Sequence, residues 1–285
     1  AVHLLDKPVY DFLGVYDGQN GEAALAALKG QYPEEELREI LSELQGLQKE
    51  ELLFSPDFPV PDTFAEKPVL KSLCLHIAHD CNLRCKYCFA GTGDFGGKRE
   101  LMSREVAEKA IDFAIKGSQK RHNLEIDLFG GEPLMNMDVV RHVINYARKR
   151  EVEAGKNIKL TLTTNGTLLT DEIVKFLNDN RVMLVLSLDG TKKTHDYMRP
   201  FPDQSGSYEA AVKGFKKVIE SRHGHNYYLR GTYTHFHPHF CEDALDMLKV
   251  GKELSVEPVV GTDEPYVLTE EDWPILEAEY NKLAA

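Results

Sequence analysis

The chain has 285 residues, of which 42% are hydrophobic, and its net charge is −12 at pH 7. The length suits about two domains, and so acidic a chain lacks the general cationic surface that nucleic acid binding requires. Its apolar stretches are too short to span a bilayer, so we expect neither a nucleic acid nor a membrane partner. Five cysteines, three of them clustered, favour a metal site in a reducing compartment over a disulfide framework, and the predicted location is cytoplasmic.

Residues 1–54 are predicted to form a small N-terminal domain. A strand is indicated by the alternation in AVHLLD, and a second, short strand by ELLF. Between them, three helices are predicted: two whose first turns contain Pro8 and Pro33, and one over GEAALAALKG. Small helices followed by a strand indicate a winged-helix-like unit. Residues 1–60 carry twelve acidic and four basic residues, which argues against DNA as the ligand. Residues 55–68 contain four prolines and are predicted to be a linker.

Strand-like and helical segments alternate over residues 69–261. The strands are predicted at 71–78, 123–130, 158–165, 182–189, 227–234 and 255–261, and the helices near 103–117, 137–154, 171–178, 207–222 and 242–253. Such alternation implies parallel βα units, so the pattern predicts an α/β fold, as either a doubly wound sheet or a partial barrel. In both architectures functional side chains gather at the carboxyl ends of the strands.

A cysteine triplet lies just past the first predicted strand, in HDCNLRCKYCFA (79–90). Cys81, Cys85 and Cys88 have the spacing C-x3-C-x2-C. A structural zinc ion normally takes four protein ligands, whereas an iron–sulfur cube held by three cysteines keeps one iron free for an outside ligand. The alternative is a zinc knuckle with His79 as the fourth ligand, which would make the protein a non-catalytic metal-binding interaction module.

The segment CNLRCKYC resembles the signature of the radical S-adenosylmethionine enzymes. FGGEPLM (129–135), TTNGTLL (163–169), LSLDG (186–190) and HDYMRP (195–200) are similar to further motifs of that superfamily, the last with the spacing of its peptide- and protein-modifying branch. The resemblance covers about residues 70–261 and implies a partial (β/α)6 TIM-like barrel. It also implies a [4Fe-4S] cluster on the three cysteines, with S-adenosylmethionine bound to the open iron. A low-potential electron donor would then drive reductive cleavage to a 5′-deoxyadenosyl radical, which takes a hydrogen atom from an unactivated C–H bond.

Four predicted contacts concern the amino acid end of S-adenosylmethionine. Gly130 and Gly131 allow close backbone approach to its amine, and the Glu132 carboxylate suits the charge of that amine. The guanidinium of Arg199 is a fixed cationic fork suited to the carboxylate. Alternatively, the glycines form a tight βα turn and Arg199 a surface ion pair.

Four more residues are predicted to contact the cofactor. Ser187 and Asn165 would supply neutral hydrogen bonds from adjacent strand ends, although both could instead cap helices. The family position of Tyr87 implies that it lies near the adenine. Val260, on the sixth strand, is expected to pack against the other side of the adenine.

The N-terminal unit resembles the peptide-recognition domain of maturases that act on ribosomally made peptides, where the leader adds as an extra strand. AVHLLDKPVYDFLGVY and SVEPVVG are similar to maturases of the SCIFF peptides, which carry six cysteines in forty-five residues. The resemblance implies a peptide thioether synthase that crosslinks a cysteine of a precursor whose leader binds residues 1–54. The alternative within the superfamily is a sulfatase-type maturase, or another radical protein-modifying enzyme, that oxidises a Cys or Ser side chain.

The chain departs from that family in two ways. It opens in the middle of the recognition-domain pattern, and it lacks the cysteine-rich SPASM-type region of such maturases. Only Cys74 and Cys241 remain outside the triplet, too few for another four-iron cluster. Residues 262–285 are therefore interpreted as the start of a C-terminal or bridging region that opens a helix, with either truncation or omitted segments expected, and auxiliary [4Fe-4S] clusters are expected in the missing part.

Overall fold

A computed structural model describes residues 5–55, 68–262 and 264–284 of the chain. The chain divides into two compact units, residues 1–67 and 68–285. Three helices form the described part of the first unit: α1 (Lys7–Leu13), α2 (Gly21–Ala27) and α3 (Glu34–Lys49). Asp6 and Asn20 cap α1 and α2 by accepting hydrogen bonds from backbone N–H groups. Apolar side chains of all three helices, among them Phe12, Leu25 and Leu37, make a small core.

The predicted strand at 51–54 is wrong, because these residues form turns directly after α3. Glu51 and Phe54 have φ values of 58° and 51°, which an extended strand cannot contain. The turn brings the Phe54 ring edge-on against Tyr16, with ring centroids 5.6 Å apart, so aromatic packing replaces strand pairing. Residues 1–4 of the other predicted strand, and 56–67 of the predicted linker, lie outside the described residues. The winged-helix interpretation therefore stays a prediction.

Six parallel strands form one sheet in the second unit: β1 (Ser72–Ala78), β2 (Asn123–Gly130), β3 (Asn157–Thr164), β4 (Val182–Ser187), β5 (Tyr227–Tyr233) and β6 (Leu254–Pro258). Their order in the sheet is the order of the sequence, β1 to β6, and every neighbouring pair is parallel. A doubly wound sheet reverses direction at a switch point, so this order excludes it and fits the partial barrel.

Helices follow the strands: α4 (Arg104–Gly117), α5 (Met137–Ala154), α6 (Asp171–Asp179), α7 (Lys192–Met198), α8 (Tyr208–Ser221), α9 (Phe240–Met247) and α10 (Trp273–Ala284). The five helices predicted between the strands are confirmed, although α9 already ends at Met247, and α10 confirms the helix expected near the end of the chain. Helix α7 was not predicted. None of the helices described is long and apolar enough to cross a bilayer.

Alternate residues of the strands point toward the helices and build the core. Leu75 and Ile77 of β1 belong to one buried cluster with Ile111 of α4 and Val143 of α5. This packing fixes the strands against their helices, and it brings the loops that follow the strands to one end of the sheet. We call this end the carboxyl rim.

Candidate active site

The cysteine loop, residues 79–91, follows β1 at the carboxyl rim. Its three predicted ligands are half-buried free thiols: Cys81, Cys85 and Cys88. The end of α7 and the residues just after it run beside this loop and hold its backbone. The Arg84 N–H donates to the Pro200 carbonyl (2.8 Å), and the Lys86 N–H donates to the Met198 carbonyl (2.9 Å). Two motifs that are distant in sequence are thereby paired.

The cysteine sulfurs lie in a low-dielectric environment. Burial raises the pKa of the Cys81 thiol to about 11 and that of Cys85 to about 12. As free groups they are therefore thiols at neutral pH, and iron would supply the positive charge that stabilises the thiolates. Within the described residues, no three His, Cys, Asp or Glu side chains are grouped to hold one metal ion. The ring of His79, the alternative zinc ligand, packs against Phe95 with centroids 5.0 Å apart.

Gly130 and Gly131 clasp the start of the cysteine loop. A Cβ at Gly130 (φ 125°) would lie 2.4 Å from the Ala78 carbonyl oxygen, and one at Gly131 would lie 2.1 Å from the Asp80 carbonyl oxygen. The Gly131 N–H donates to Ala78 (2.8 Å), and the Glu132 N–H donates to Asp80 (2.9 Å). The close approach that demands glycine is thus made to the backbone that carries Cys81. The predicted approach of these glycines to the cofactor amine stays a prediction.

The carboxylate of Glu132 is 1% exposed and braces the ends of two strands. Its Oε1 accepts hydrogen bonds from the Leu134 N–H (3.1 Å) and the Thr164 hydroxyl (2.8 Å), and its Oε2 accepts one from the Asn165 N–H (2.8 Å). Burial raises its pKa. A carboxylate has about four acceptor positions, so one position on Oε2 is left for a further donor such as an amine.

Asn165 lies just past β3 and ties that strand to the cysteine loop. Its Nδ2 donates to Asn82 Oδ1 (2.8 Å), and its Oδ1 accepts from the N–H and the hydroxyl of Thr167 (3.0 and 2.7 Å). Thr170, not Asn165, caps α6. Ser187 is the last residue of β4, and Thr191 caps the helix that follows. The helix-cap interpretation of both residues is therefore wrong.

Arg199 is 9% exposed, so its interpretation as a surface ion pair is also wrong. Its Nη1 donates to the Tyr87 hydroxyl (2.6 Å), which in turn donates to Asp189 Oδ2 (2.6 Å). Burial acts to lower the pKa of Arg199, but Cys85, Tyr87 and Asp189 more than offset it and raise that pKa well above its ordinary value. The buried Nε has no hydrogen-bond partner in the part of the chain that the structure describes.

Val260 does not lie on the sixth strand, because β6 ends at Pro258. Proline has no N–H to continue the ladder, and the chain leaves the sheet after the Val259 N–H donates to the Tyr233 carbonyl (3.0 Å). Val260 is 86% exposed. Its contact with adenine stays a prediction.

Sequence reasoning missed two residues of this site: Asp189, which accepts from the Tyr87 hydroxyl, and His195, whose Nδ1 accepts from the Asp189 N–H (3.3 Å). Both stand inside motifs already recognised, LSLDG and HDYMRP, but a lone aspartate or histidine in a motif gives no sign of its partner. The sequence signal that was available is their position: Asp189 lies just after β4, and His195 lies in the segment that follows.

The functional groups at the carboxyl rim fit the implied cofactors. Thiolate sulfurs are the usual ligands of iron–sulfur clusters, the unpartnered Nε of Arg199 suits a carboxylate, and the spare position on Glu132 suits an amine. The structure brings these groups together from loops after β1, β2 and β4.

Comparison with known proteins gives one family and several relatives. Residues 75–263 match the family model described as Radical SAM superfamily. A radical SAM cyclopropyl synthase, TigE, of Paramaledivibacter caminithermalis is 30% identical over 165 residues, which are 53% of this chain and 33% of that protein. A cysteine-type anaerobic sulfatase-maturating enzyme of Clostridium novyi is 31% identical over 156 residues, 52% of this chain and 40% of that protein. The chain thus spans about a third to a half of the length of the curated relatives it matches.

Solved structures share the fold. Native anSMEcpe with bound AdoMet superposes with a TM-score of 0.64 at 19% identity, covering 75% of this chain and 60% of that one. The same protein with AdoMet and the Cp18Cys peptide gives a TM-score of 0.62 at 20% identity, covering 76% and 61%. Streptococcus suis SuiB bound to S-adenosylmethionine gives 0.52 at 16% identity, covering 99% of this chain and 62% of that chain.

Proposed function

The chain belongs to the radical S-adenosylmethionine superfamily, and from that premise we propose that it is a peptide maturase that forms a Cys thioether crosslink in a ribosomally made precursor. Its cofactors are a [4Fe-4S] cluster and S-adenosylmethionine. When bound, they supply a 5′-deoxyadenosyl radical that takes a hydrogen atom from an unactivated carbon. The observation that carries the radical chemistry is the cysteine loop at the carboxyl rim, held by Gly130 and Gly131, together with a buried arginine whose Nε–H has no partner in the described residues. The thioether product is the further step that the experiment below tests.

Each cofactor has its proposed holders. Cys81, Cys85 and Cys88 bind the cluster, while Arg199 and Glu132 bind the carboxylate and the amine of S-adenosylmethionine through the free donor and the spare acceptor described above. These residues therefore orient the cofactor and exclude water from it. The remaining proposed cofactor contacts are Tyr87, Gly130, Gly131, Asn165, Ser187 and Val260.

A peptide substrate is supported by two kinds of relative. Those named as sulfatase-maturating enzymes act, by their names, on a protein, and one structure of the same fold holds a peptide beside AdoMet. The partners we propose are the precursor peptide and a low-potential electron donor, and we place auxiliary clusters in regions beyond this sequence. All five cysteines are free thiols, which supports a reducing compartment, proposed to be the cytoplasm.

The first unit is the proposed leader-binding domain. The described residues of this unit form no strand whose edge could receive a peptide. They do form a groove of about 320 Å³ between α2 and α3, with Leu25, Leu37 and Tyr32 among its lining residues and Arg38 at its side. Leu25 and Leu37 are buried in the core of the unit, whereas Arg38 and Glu34, paired at 2.9 Å, are exposed, so these charged side chains are the groups most available to a leader.

Incubation with a cysteine-rich precursor, S-adenosylmethionine and reductant tests the proposal. The expected product is lighter by two hydrogens, has lost one alkylatable thiol and keeps its sulfur. The Cys85→Ala variant is the control without a complete cluster. Removal of residues 1–54 should abolish leader binding, measured by fluorescence anisotropy, while S-adenosylmethionine cleavage persists. An unchanged peptide beside normal cofactor cleavage would contradict the thioether assignment.

Sulfatase-type oxidation is the second candidate, because the Clostridium novyi relative named above is a cysteine-type sulfatase-maturating enzyme. Oxidation of the Cys or Ser side chain to a carbonyl gives a product that reacts with a hydrazide, whereas a thioether does not. Anaerobic purification tests the remaining zinc-module alternative: a brown protein with four irons supports the cluster, and a colourless zinc protein contradicts it.

A further inference from the structure

We propose that Asp189, His195 and Ser207 are positioning residues that hold the Arg199 guanidinium in the orientation needed to bind the carboxylate of S-adenosylmethionine. The proposal rests on the role proposed above for Arg199. The Asp189 backbone N–H, the His195 ring and the Ser207 hydroxyl form one buried hydrogen-bond chain that ends on the Arg199 carbonyl, and the Asp189 carboxylate reaches the guanidinium through Tyr87.

His195 is the centre of this chain and is completely buried. The Asp189 N–H lies 3.3 Å from its Nδ1, and Ser207 Oγ lies 3.1 Å from its Nε2. A backbone amide can only donate, so Nδ1 is the acceptor and the neutral ring carries its proton on Nε2. Nε2–H therefore donates to Ser207. Burial lowers the pKa of His195 well below its ordinary value, which keeps the ring in this neutral form.

Ser207 passes the chain on to Arg199. Its hydroxyl donates to the Arg199 carbonyl oxygen (2.5 Å). Ser207 occupies the N-cap position of α8, where a serine side chain usually bonds the first turn, but it makes no such bond within the described residues. Asp196 Oδ1 accepts from the Tyr208 N–H (2.8 Å) instead. The hydroxyl of Ser207 is thus used to fix the arginine backbone and not the helix.

Asp189 holds the other end of the arginine. Its Oδ1 accepts from the Thr232 N–H (3.2 Å), which anchors the carboxylate to β5, and its Oδ2 accepts from the Tyr87 hydroxyl (2.6 Å). Tyr87 accepts in turn from Arg199 Nη1 (2.6 Å), which lies 3.9 Å from Asp189 Oδ1.

The guanidinium is fixed at Nη1 by Tyr87 and through its backbone by Ser207. Its buried Nε–H remains as a donor without a partner in the described residues. A carboxylate is the ligand that matches the planar guanidinium fork geometrically. Loosening either anchor should therefore weaken carboxylate recognition more than it weakens binding of the rest of the molecule.

The test is anaerobic equilibrium binding of two probes to the cluster-loaded full chain: S-adenosylmethionine and its decarboxylated analogue. We expect Ser207→Ala to weaken S-adenosylmethionine about tenfold, the effect of one lost buried hydrogen bond, and the analogue less than about twofold. Ser118→Ala is the matched control, because Ser118 is an equally buried serine whose hydroxyl donates to the Ile115 carbonyl (2.8 Å) at the end of α4. It should leave the ratio of the two affinities unchanged.

Equal weakening of both probes by Ser207→Ala, or the same effect from the control, would show a merely structural role and overturn the proposal. His195→Asn, which keeps an acceptor near the Asp189 N–H but cannot reach Ser207, should behave as Ser207→Ala does. Arg199→Gln separates the proposed role of Arg199 from the proposed role of its positioning residues. If it leaves the preference for S-adenosylmethionine intact, the role of Arg199 itself is wrong. If it removes the preference while Ser207→Ala keeps it, only the positioning role is wrong.

Discussion

Replacement of Glu132 by glutamine changes one atom of a buried carboxylate that accepts three hydrogen bonds at the carboxyl rim. The amide oxygen can still accept from Leu134 and Thr164, but the new NH2 group then faces the Asn165 N–H, at the position where Oε2 accepted it at 2.8 Å. Two donors now oppose each other in a site that is 1% exposed. One buried donor left unsatisfied costs about 1–3 kcal/mol, so we expect the free energy of unfolding to fall by about 2 kcal/mol.

Tryptophan fluorescence measures this effect in the correct unit. The chain has one tryptophan, Trp273, which lies in the second unit with Glu132. A loss of about 2 kcal/mol lowers the melting temperature by roughly 4–8 °C in a domain of this size, recorded without S-adenosylmethionine so that ligand binding does not contribute. Glu172→Gln is the matched control: its carboxylate pairs with Arg141 but its side chain is 83% exposed, so we expect less than about 1 °C. A melting temperature of Glu132→Gln equal to that of the control would refute the bracing role.

Gly131→Ala should destabilise the second unit by about 1–3 kcal/mol and lower its iron content, because the new methyl would lie 2.1 Å from the Asp80 carbonyl oxygen next to the cysteine loop. The control is Gly155→Ala, where φ is 62° but no atom lies within reach of the new methyl, so it should cost about 1 kcal/mol and keep the iron. Cys85→Ala should abolish 5′-deoxyadenosine production, and normal production by chromatography would contradict the cluster assignment. His195 has a pKa below its ordinary value in the folded chain, so the unfolded state binds more protons below about pH 6.5. The free energy of unfolding should therefore decrease as the pH is lowered through this range, by at most about 1.4 kcal/mol per pH unit. The same slope in thermal melts of His195→Gln would show that another group titrates.

The alternation of strands and helices could be read from the sequence because both signals are local. Buried parallel strands are nearly continuous apolar runs, as in VMLVLSL, and the six strands predicted over residues 69–261 are all present. The short helix α7 (Lys192–Met198) was missed because seven residues carry too little periodicity to be recognised. The strand predicted at 51–54 was wrong because nothing in ELLF shows that Phe54 packs back onto Tyr16.

The sequence by itself determined the chemistry of the site: three cysteines at a fixed spacing, a glycine pair, and an arginine in a recognisable segment. Only the tertiary structure decided what each of them does there. Tyr87 and Asp189 are 102 positions apart, and Tyr87 and Arg199 are 112 apart, yet they share hydrogen bonds of 2.6 Å. Spacing along a chain fixes which groups are present, but contacts between strand ends depend on how the parallel strands lie side by side in the sheet. That arrangement leaves Arg199 Nε buried without a partner in the described residues and gives Glu132 its three donors.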